Sequence, residues 1–248
     1  MFSLCIPTLD RFDEFLINYL PNYLQNELID EVIITDENGN DVQKINQTFG
    51  NIKKLKLFIN ETKLGPFLNK LNACKKATNE WIVLIDSDNF ADKQYFKIAN
   101  DYIINNIKNQ KNVILAPCKA LPNFNYSHLS GFIYKKGDFA KNRQNETLMK
   151  QNYNSPSNVC MNTGNYIINK FLIHNLNLQK ETENIKKSSA CDVIYFNTLL
   201  FEQLDLNMHI VKDLEYHHVV HNGSVYIQTC NKFNNFNQTV YSRYNNLI

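Results

Sequence analysis

Five consecutive apolar residues, Trp81–Ile85, run directly into two carboxylates, Asp86 and Asp88. A short apolar run rich in β-branched residues predicts a buried strand. Acids at the end of such a strand need a partner, because unpaired buried charge is costly. At the carboxyl end of a parallel strand they would face the crevice in which open α/β sheets bind ligands. Carboxylate oxygens suit Mg²⁺ or Mn²⁺, which proteins usually share with substrate phosphates, so the sequence predicts such a site here.

Strands and helices alternate over the first 90 residues of the sequence. Apolar runs predict four strands, at Phe2–Ile6, Glu31–Thr35, Leu55–Ile59 and Trp81–Ile85. Helical spacing predicts one helix that follows a capping Asp10 and stops at Pro21, and another over Phe67–Ala77. Glu37–Asp41 has the composition of a turn. The alternation predicts right-handed βαβ units and an α/β fold with a mostly parallel sheet.

Polar side chains follow three of these predicted strands. Thr8 and Asp10 come after the first strand, Asp36 after the second, and Asp86 with Asp88 after the fourth. The carboxyl ends of parallel strands meet at one edge of a sheet, so we expect these side chains to converge there. This convergence is a stronger indication of a ligand site than any one motif.

The second half of the sequence is less regular. Further elements are predicted by the same patterns, as strands at Asn112–Pro117, Gly131–Lys135, Tyr166–Ile168 and Met208–Val211, and as helices at Lys93–Ile107, Val193–Leu204 and beyond Asn231. Residues 138–158 are polar and aperiodic, which is typical of a connector. The sequence shows no internal repeat and no linker, so we predict one domain with two functional halves, about 1–110 and about 111–248.

Composition excludes several classes of protein. A net charge of +2 over 248 residues gives no indication of a nucleic acid partner. The six cysteines form no CxxC pair, so neither a zinc site nor a disulfide framework is predicted. The N-terminus lacks the pattern of a signal peptide, and no apolar run approaches the roughly 18 residues of a transmembrane helix. We therefore expect a cytoplasmic protein that is soluble or peripheral to a membrane.

Four motifs lie in order within the first 90 residues of the sequence. They are Ile6-Pro7-Thr8, Val32–Asp36, Gly65 followed five residues later by the basic Lys70, and Asp86-Ser87-Asp88. In order and spacing they resemble the opening strand and loop, the second strand, the glycine with its basic residue, and the DxD motif of GT-A-type glycosyltransferases of the family 2-like group. The resemblance implies a Rossmann-like α/β/α sandwich with a mostly parallel central sheet, which binds a nucleotide-sugar at the carboxyl edge. It also implies that about 1–110 is the nucleotide-sugar-binding half and about 111–248 the acceptor-binding half.

The resemblance also implies roles for individual residues. Pro7, Thr8, Asp10 and Arg11 would line the nucleotide pocket, and Asp36 would lie near the base. Lys70 would approach the base, ribose or phosphates. Asp86 would face the ribose or a metal-bound water, with Ser87 beside it, and Asp88 would hold Mn²⁺ or Mg²⁺. Leu71 stands where the family often has Asn, and Glu37-Asn38-Gly39 replaces the usual Asp-Gly-Ser.

The late region of the sequence offers residues for the acceptor side. Asp192 resembles the acid that serves as base in inverting members, although an Asp there could equally be a helix N-cap. His218 and His221 are three residues apart, so both reach one site only across a turn or bulge, and either could complete the metal shell beside Asp88 and Asp86. Asn162, Thr163 and Gly164 stand where the family places acceptor-side residues, or form an ordinary turn.

These observations lead to one function and two alternatives. We expect a metal-dependent hexosyltransferase-type glycosyltransferase that moves a sugar from a nucleotide-diphospho-sugar, most readily a UDP-sugar, to a hydroxyl of a glycan, lipid or protein. Asp192 favours an inverting enzyme. A nucleotidyltransferase would use a similar sheet, but Pro7–Arg11 contains no glycine for a triphosphate loop. The other alternative is a binding module that keeps the fold without catalysis.

Overall fold

The structure is a computed structural model, and it describes residues 1–136, 164–179, 181, 191–224, 227–228 and 235–247. The predicted connector at 138–158 lies outside the described residues, as do Asn162 and Thr163. Among the described residues, no helix is both long enough and apolar enough to cross a membrane.

Over the described residues, nine strands form one sheet in the order β3-β2-β1-β4-β8-β5-β9-β7, with β6 paired to β5 outside this path. The strands are β1 (Phe2–Thr8), β2 (Ile29–Asp36), β3 (Leu55–Ile59), β4 (Trp81–Leu84), β5 (Val113–Leu121), β6 (Phe124–Asn125), β7 (Ile133–Lys135), β8 (Tyr166–Asn169) and β9 (Asn207–His217).

The first four strands are parallel, with β1 between β2 and β4 and with β3 outside β2. In the second half, β9 runs parallel to β5, while β8 is antiparallel to both β4 and β5. The predicted α/β fold with a central, mostly parallel sheet is confirmed. The antiparallel β8 joins the two halves of the sheet, and its pairing to β4 brings Gly164 and Asn165 to the end of β4.

Seven α-helices in the described part of the chain cover the two faces of the sheet. They are α1 (Ile17–Gln25), α2 (Asn40–Phe49), α3 (Pro66–Lys75), α4 (Lys93–Asn106), α5 (Lys170–Asn175), α6 (Asp192–Gln203) and α7 (Asn235–Asn246). A π-helical turn, Phe12–Leu16, precedes α1, and a 3₁₀ turn, Ser127–Leu129, follows β6.

Strand β4 shows how the sequence sets the two cores. Ile82 and Leu84 pack into one core with α3, α5, α6 and α7, whereas Trp81, Val83 and Ile85 pack into the other with α1, α2 and α4. Successive side chains of a strand point to opposite faces, so an uninterrupted apolar run suits a strand that is covered on both sides. A slip of one residue would exchange the two sets of side chains, so both cores fix the register that places Asp86 at the sheet edge.

Some predicted boundaries were wrong. The first helix does not stop at Pro21, which lies inside α1, because Leu20 and Tyr23 on either side of it are buried against the sheet. The first strand continues through Pro7 and Thr8, since both pair in register with β2. Helix α2 was not predicted, although Val42, Ile45 and Phe49 stand at helical spacing in its otherwise polar sequence. The longer first strand places Thr8 at the end of β1, directly opposite Asp36 at the end of β2.

Candidate active site

The loop that follows β1 is held by Asp41, a residue of α2 that sequence reasoning missed. The buried Asp41 carboxylate accepts hydrogen bonds from the backbone N–H groups of Arg11, at 2.9 and 3.0 Å, and of Phe12, at 2.9 Å. It also accepts one from the hydroxyl of Thr8. The expectation that Asp10 caps the following helix was wrong, since Asp41 satisfies those N–H groups from another element.

Asp10 itself lies exposed at the tip of this loop with a positive φ of 54°. Its carboxylate accepts hydrogen bonds from the side-chain amides of Asn38 and Asn40, at 2.8 to 3.0 Å. Hydrogen bonds from Asn40 and then Asn38 lower the pKa of Asp10 below its ordinary value. The loops after β1 and β2 are therefore joined at the rim of the sheet edge.

Asp36 is fully buried at the end of β2. Its two carboxylate oxygens accept hydrogen bonds from the backbone N–H groups of Asn38, at 3.2 Å, and Val42, at 3.0 Å, which lies in the first turn of α2. Asp36 thus stabilises the turn and the helix N-terminus that present Asp41. Its predicted contact with a base stays a prediction.

Lys70 lies between two acids that are 106 residues apart in sequence. It projects from α3, is 6% exposed, and its Nζ lies 2.9 Å from Oδ1 of Asp86 and 2.7 Å from Oδ2 of Asp192. Burial alone would lower the pKa of Lys70, but the charges and hydrogen bonds of Asp192 and Asp86 outweigh burial and raise the pKa above its ordinary value. Lys70 therefore stays charged and joins Asp86 to Asp192.

Asn165 gives Asp86 a second support. The backbone N–H of Asp86 donates to Oδ1 of Asn165 at 2.5 Å, and Nδ2 of Asn165 lies 3.4 Å from Oδ2 of Asp86. The same Nδ2 donates to the hydroxyl of Tyr216 on β9 at 3.2 Å. Asn165 is buried, so these bonds fix both the backbone and the side chain of Asp86. Packing explains why the preceding residue, Gly164, is a glycine, because a Cβ there would lie 2.5 Å from Cγ2 of Val193 on α6.

Asp88 pairs with His221 rather than with His218. Nε2 of His221 lies 3.1 Å from Oδ2 of Asp88, and the imidazole packs on Phe15 with ring centroids 4.9 Å apart. Arg11 reaches the same loop, donating from Nη2 to the carbonyl of Gly223 at 2.5 Å. The hydrogen bond from Arg11 therefore joins the loop after β9 to the loop after β1, directly beside the DxD acids.

His218 has a different environment. Nδ2 of Asn123 lies 2.9 Å from the carbonyl oxygen of His218 and 2.9 Å from its Nδ1. A carbonyl only accepts hydrogen bonds, so the amide end that faces it is the NH₂ group, and that group also donates to Nδ1. The ring proton of a neutral His218 then sits on Nε2. Burial lowers the pKa of His218 against the opposing charges of Asp88 and Asp86, which favours this neutral form.

The donor set fits a divalent cation that is shared with a ligand. Among the described residues, no group of three or more His, Cys, Asp or Glu side chains is arranged to hold a metal ion. The pair of Asp88 and His221 instead offers a carboxylate oxygen and an imidazole nitrogen side by side, and Asp88 is 20% exposed. Mg²⁺ and Mn²⁺ are commonly held by one or two such protein ligands together with substrate phosphates. The predicted metal roles of Asp88, Asp86, His221 and His218 stay predictions.

Two concavities lie away from this edge. One, of about 540 Å³, runs along the outer strand β3, and the other, of about 900 Å³, lies at the amino end of β4 beside Trp81 and Phe171. The chemistry-bearing side chains gather instead at the carboxyl ends of β1, β2 and β4. We place the candidate site there on the basis of those side chains, not of cavity size.

The remaining predicted residues lie around this edge. Pro7 pairs with Thr35 within the sheet, and Ser87 is buried between the two DxD acids. Sequence reasoning missed Asp41, Asn165 and Tyr216, which act on the site through other residues. Asp41 stands five residues after Asp36, and Asn165 stands directly before β8. No local sequence pattern distinguishes either of them from a turn residue.

Comparison with known proteins places this geometry in a family. The family model described as "Glycosyl transferase family 2" matches residues 3–172, which include β2–β8, all of β1 except Phe2, and both DxD acids. A comparison with curated protein sequences finds no match.

Solved structures of S. aureus TarS are similar in fold. TarS 1-349 superposes with a TM-score of 0.57 at 19% identity, over 87% of this chain and 59% of that chain. Its complex with UDP gives a TM-score of 0.57 at 17% identity, over 89% and 61%. Its complex with UDP-GlcNAc gives 0.59 at 15% identity, over 91% and 60%. The chain thus spans about three fifths of the length of TarS 1-349.

Proposed function

The chain belongs to glycosyl transferase family 2, and we propose that it transfers a sugar from a nucleotide-diphospho-sugar to a hydroxyl group of an acceptor. The observation that carries the proposal is the cluster at the sheet edge, where Lys70 joins Asp86 to Asp192 and His221 pairs with Asp88. We assign the metal to Asp88 and the proton of the acceptor hydroxyl to Asp192. Family membership favours glycosyl transfer over nucleotidyl transfer.

The donor that we propose is a UDP-sugar. TarS, which shares the fold, has been solved with UDP and with UDP-GlcNAc, and both ligands are therefore the first probes for this chain. The nucleoside would lie against the loop Thr8–Arg11 and the end of β2. Asp41 and Asp36 would act there by holding that loop and turn in place.

The diphosphate would lie beside Asp88 and His221, and these residues would hold Mn²⁺ or Mg²⁺. When bound, the cation would neutralise charge that develops on the departing diphosphate. His218, with its proton on Nε2, would add a neutral hydrogen-bond donor close to the same charges. Arg11 lies at the rim of this region, where its guanidinium already holds the loop of Gly223.

Asp192 would act as general base on the acceptor side. The acceptor hydroxyl oxygen forms a bond to the anomeric carbon while the bond from that carbon to the diphosphate oxygen breaks. The electron pair leaves with the nucleoside diphosphate, and Asp192 takes the proton of the hydroxyl. Attack opposite the departing diphosphate inverts the anomeric centre, so we propose an inverting enzyme that acts on a glycan, lipid or protein.

Donor hydrolysis tests this proposal without knowledge of the acceptor. The protein is incubated with UDP- and GDP-sugars and Mn²⁺, and release of nucleoside diphosphate is measured with and without EDTA. We expect slow release from at least one UDP-sugar that EDTA abolishes. Tight binding of UDP without release from any donor would instead favour a binding module, and the absence of both would refute the proposal.

A further inference from the structure

We propose that Lys70 is a positioning residue that fixes the base Asp192 at a set distance from the donor-side acid Asp86. The inference rests on the proposed function, because it takes Asp192 as the base for the acceptor hydroxyl. The inference adds a second role for Lys70. Besides any contact with the nucleotide, Lys70 would connect the acid on the donor side of the site to the base on the acceptor side.

The distances define this link. Nζ of Lys70 lies 2.9 Å from Oδ1 of Asp86 and 2.7 Å from Oδ2 of Asp192, so these two oxygens cannot be further apart than 5.6 Å, the sum of the two contacts. Transfer requires the acceptor hydroxyl to meet the anomeric carbon while the diphosphate is held on the donor side. A single ammonium group that contacts both acids keeps the base within reach of that point.

The packing of α3 on α6 explains why Lys70 meets Asp192. Phe67 of α3 contacts the rings of Tyr195 and Phe196 on α6, with centroids 4.6 and 5.6 Å apart. Residues three apart lie on the same face of a helix. Lys70 stands three residues after Phe67, and Asp192 three residues before Tyr195, so the aromatic contact aligns the ion pair along the same interface.

The two acids differ in how much they depend on Lys70. Asp86 is also held by Asn165, which binds its backbone N–H and lies beside its carboxylate. Asp192 is 13% exposed, and in the described part of the chain its ion-pair partner is Lys70. Loss of the ammonium group should therefore release Asp192 more than Asp86. We expect the catalytic step to suffer more than binding of the nucleotide.

A double-mutant cycle tests this link. Wild type, Lys70→Met, Asp192→Asn and the double variant are compared in hydrolysis of UDP-GlcNAc with Mn²⁺, with UDP affinity measured by calorimetry. A general base contributes about 10²- to 10⁴-fold to rate, so D192N should lower kcat within that range. We expect K70M to lower kcat by about 10²-fold, and the double variant to be no more than about 3-fold below D192N. KM and UDP affinity should change much less than kcat.

Two further variants separate positioning from general damage. Lys70→Arg keeps the charge and should recover part of the kcat that K70M loses, whereas a purely structural defect would not depend on charge. Lys97→Met removes an exposed lysine whose partner is Asp101, and it should behave as wild type. Losses from K70M and D192N that multiply in the double variant would overturn the proposal.

A measurement without catalysis keeps this inference separate from the proposed function. If wild type neither binds UDP nor hydrolyses the donor, the proposed function fails. Urea midpoints of the same four proteins then decide whether Lys70 and Asp192 are coupled. Non-additive shifts would support the pairing that fixes Asp192, and additive shifts would overturn it.

Discussion

Replacing Asp41 by Ala tests whether the loop after β1, which we propose contacts the nucleotide, depends on one buried carboxylate. Asp41 accepts hydrogen bonds from two backbone N–H groups, of Arg11 and Phe12, and from the hydroxyl of Thr8. Hydrogen bonds to charged groups contribute roughly 1.5–3 kcal/mol each. Water can recover part of this near the half-buried Arg11, so we expect the free energy of unfolding to fall by about 3 kcal/mol.

Urea unfolding measures this loss directly. With a slope of about 3 kcal/mol per molar urea, the midpoint of D41A should fall by about 1 M. UDP affinity should fall as well, because Thr8 and Arg11 lose their support. Asp13→Ala is the matched control, since Asp13 lies in the next turn, is 72% exposed and pairs with the exposed Lys44. Equal midpoints for D41A and D13A would refute the role that we assign to Asp41.

Two other substitutions give independent checks. Burial would raise the pKa of Glu181, but hydrogen bonds from Arg243 and Tyr195 outweigh burial and lower it. The charged Glu181 therefore stabilises the folded protein above its ordinary pKa of about 4.5, and this stabilisation is lost as pH falls through the lowered pKa. Arg243→Met should thus cost about 2 kcal/mol at pH 7, and the gap between the urea midpoints of variant and wild type should narrow as pH falls below the ordinary pKa of Glu181. Gly223→Ala would place a Cβ 3.0 Å from Cε1 of His221. It should weaken UDP binding in the presence of Mn²⁺ in calorimetry, whereas unchanged affinity would show that the ring does not matter there.

The sequence predicted the four strands of the first 90 residues because their signals are local. The apolar run Trp81–Ile85 fixes a strand with both faces buried, and the acids that follow it must then lie at the sheet edge. The predicted strand Leu55–Ile59 has the same bounds in the structure. These features depend on neighbouring residues, which periodicity reports well.

Long-range contacts account for what the sequence did not predict. Asn165 meets Asp86 across 79 residues because β8 inserts antiparallel beside β4, and no pattern near Asn165 indicates that pairing. Pro21 was predicted to stop a helix, but burial of its neighbours overrides the local preference. Lys70 was placed on the nucleotide side alone, and the packing of α3 on α6 revealed its contact with Asp192.

Calorimetric titration of UDP in the presence of Mn²⁺ tests the central claim most directly, that the DxD acids bind a metal and nucleotide at the sheet edge. Wild type, Asp88→Ala and Asp101→Ala are compared, the last being an exposed acid of α4 paired with Lys97. Loss of groups that support a metal site costs about 10- to 100-fold in affinity, so loss of a ligand should cost at least as much. We expect wild type and D101A to bind UDP equally and D88A to bind at least about 10-fold more weakly. Equal binding by D88A and wild type, or no binding by wild type, would contradict the account.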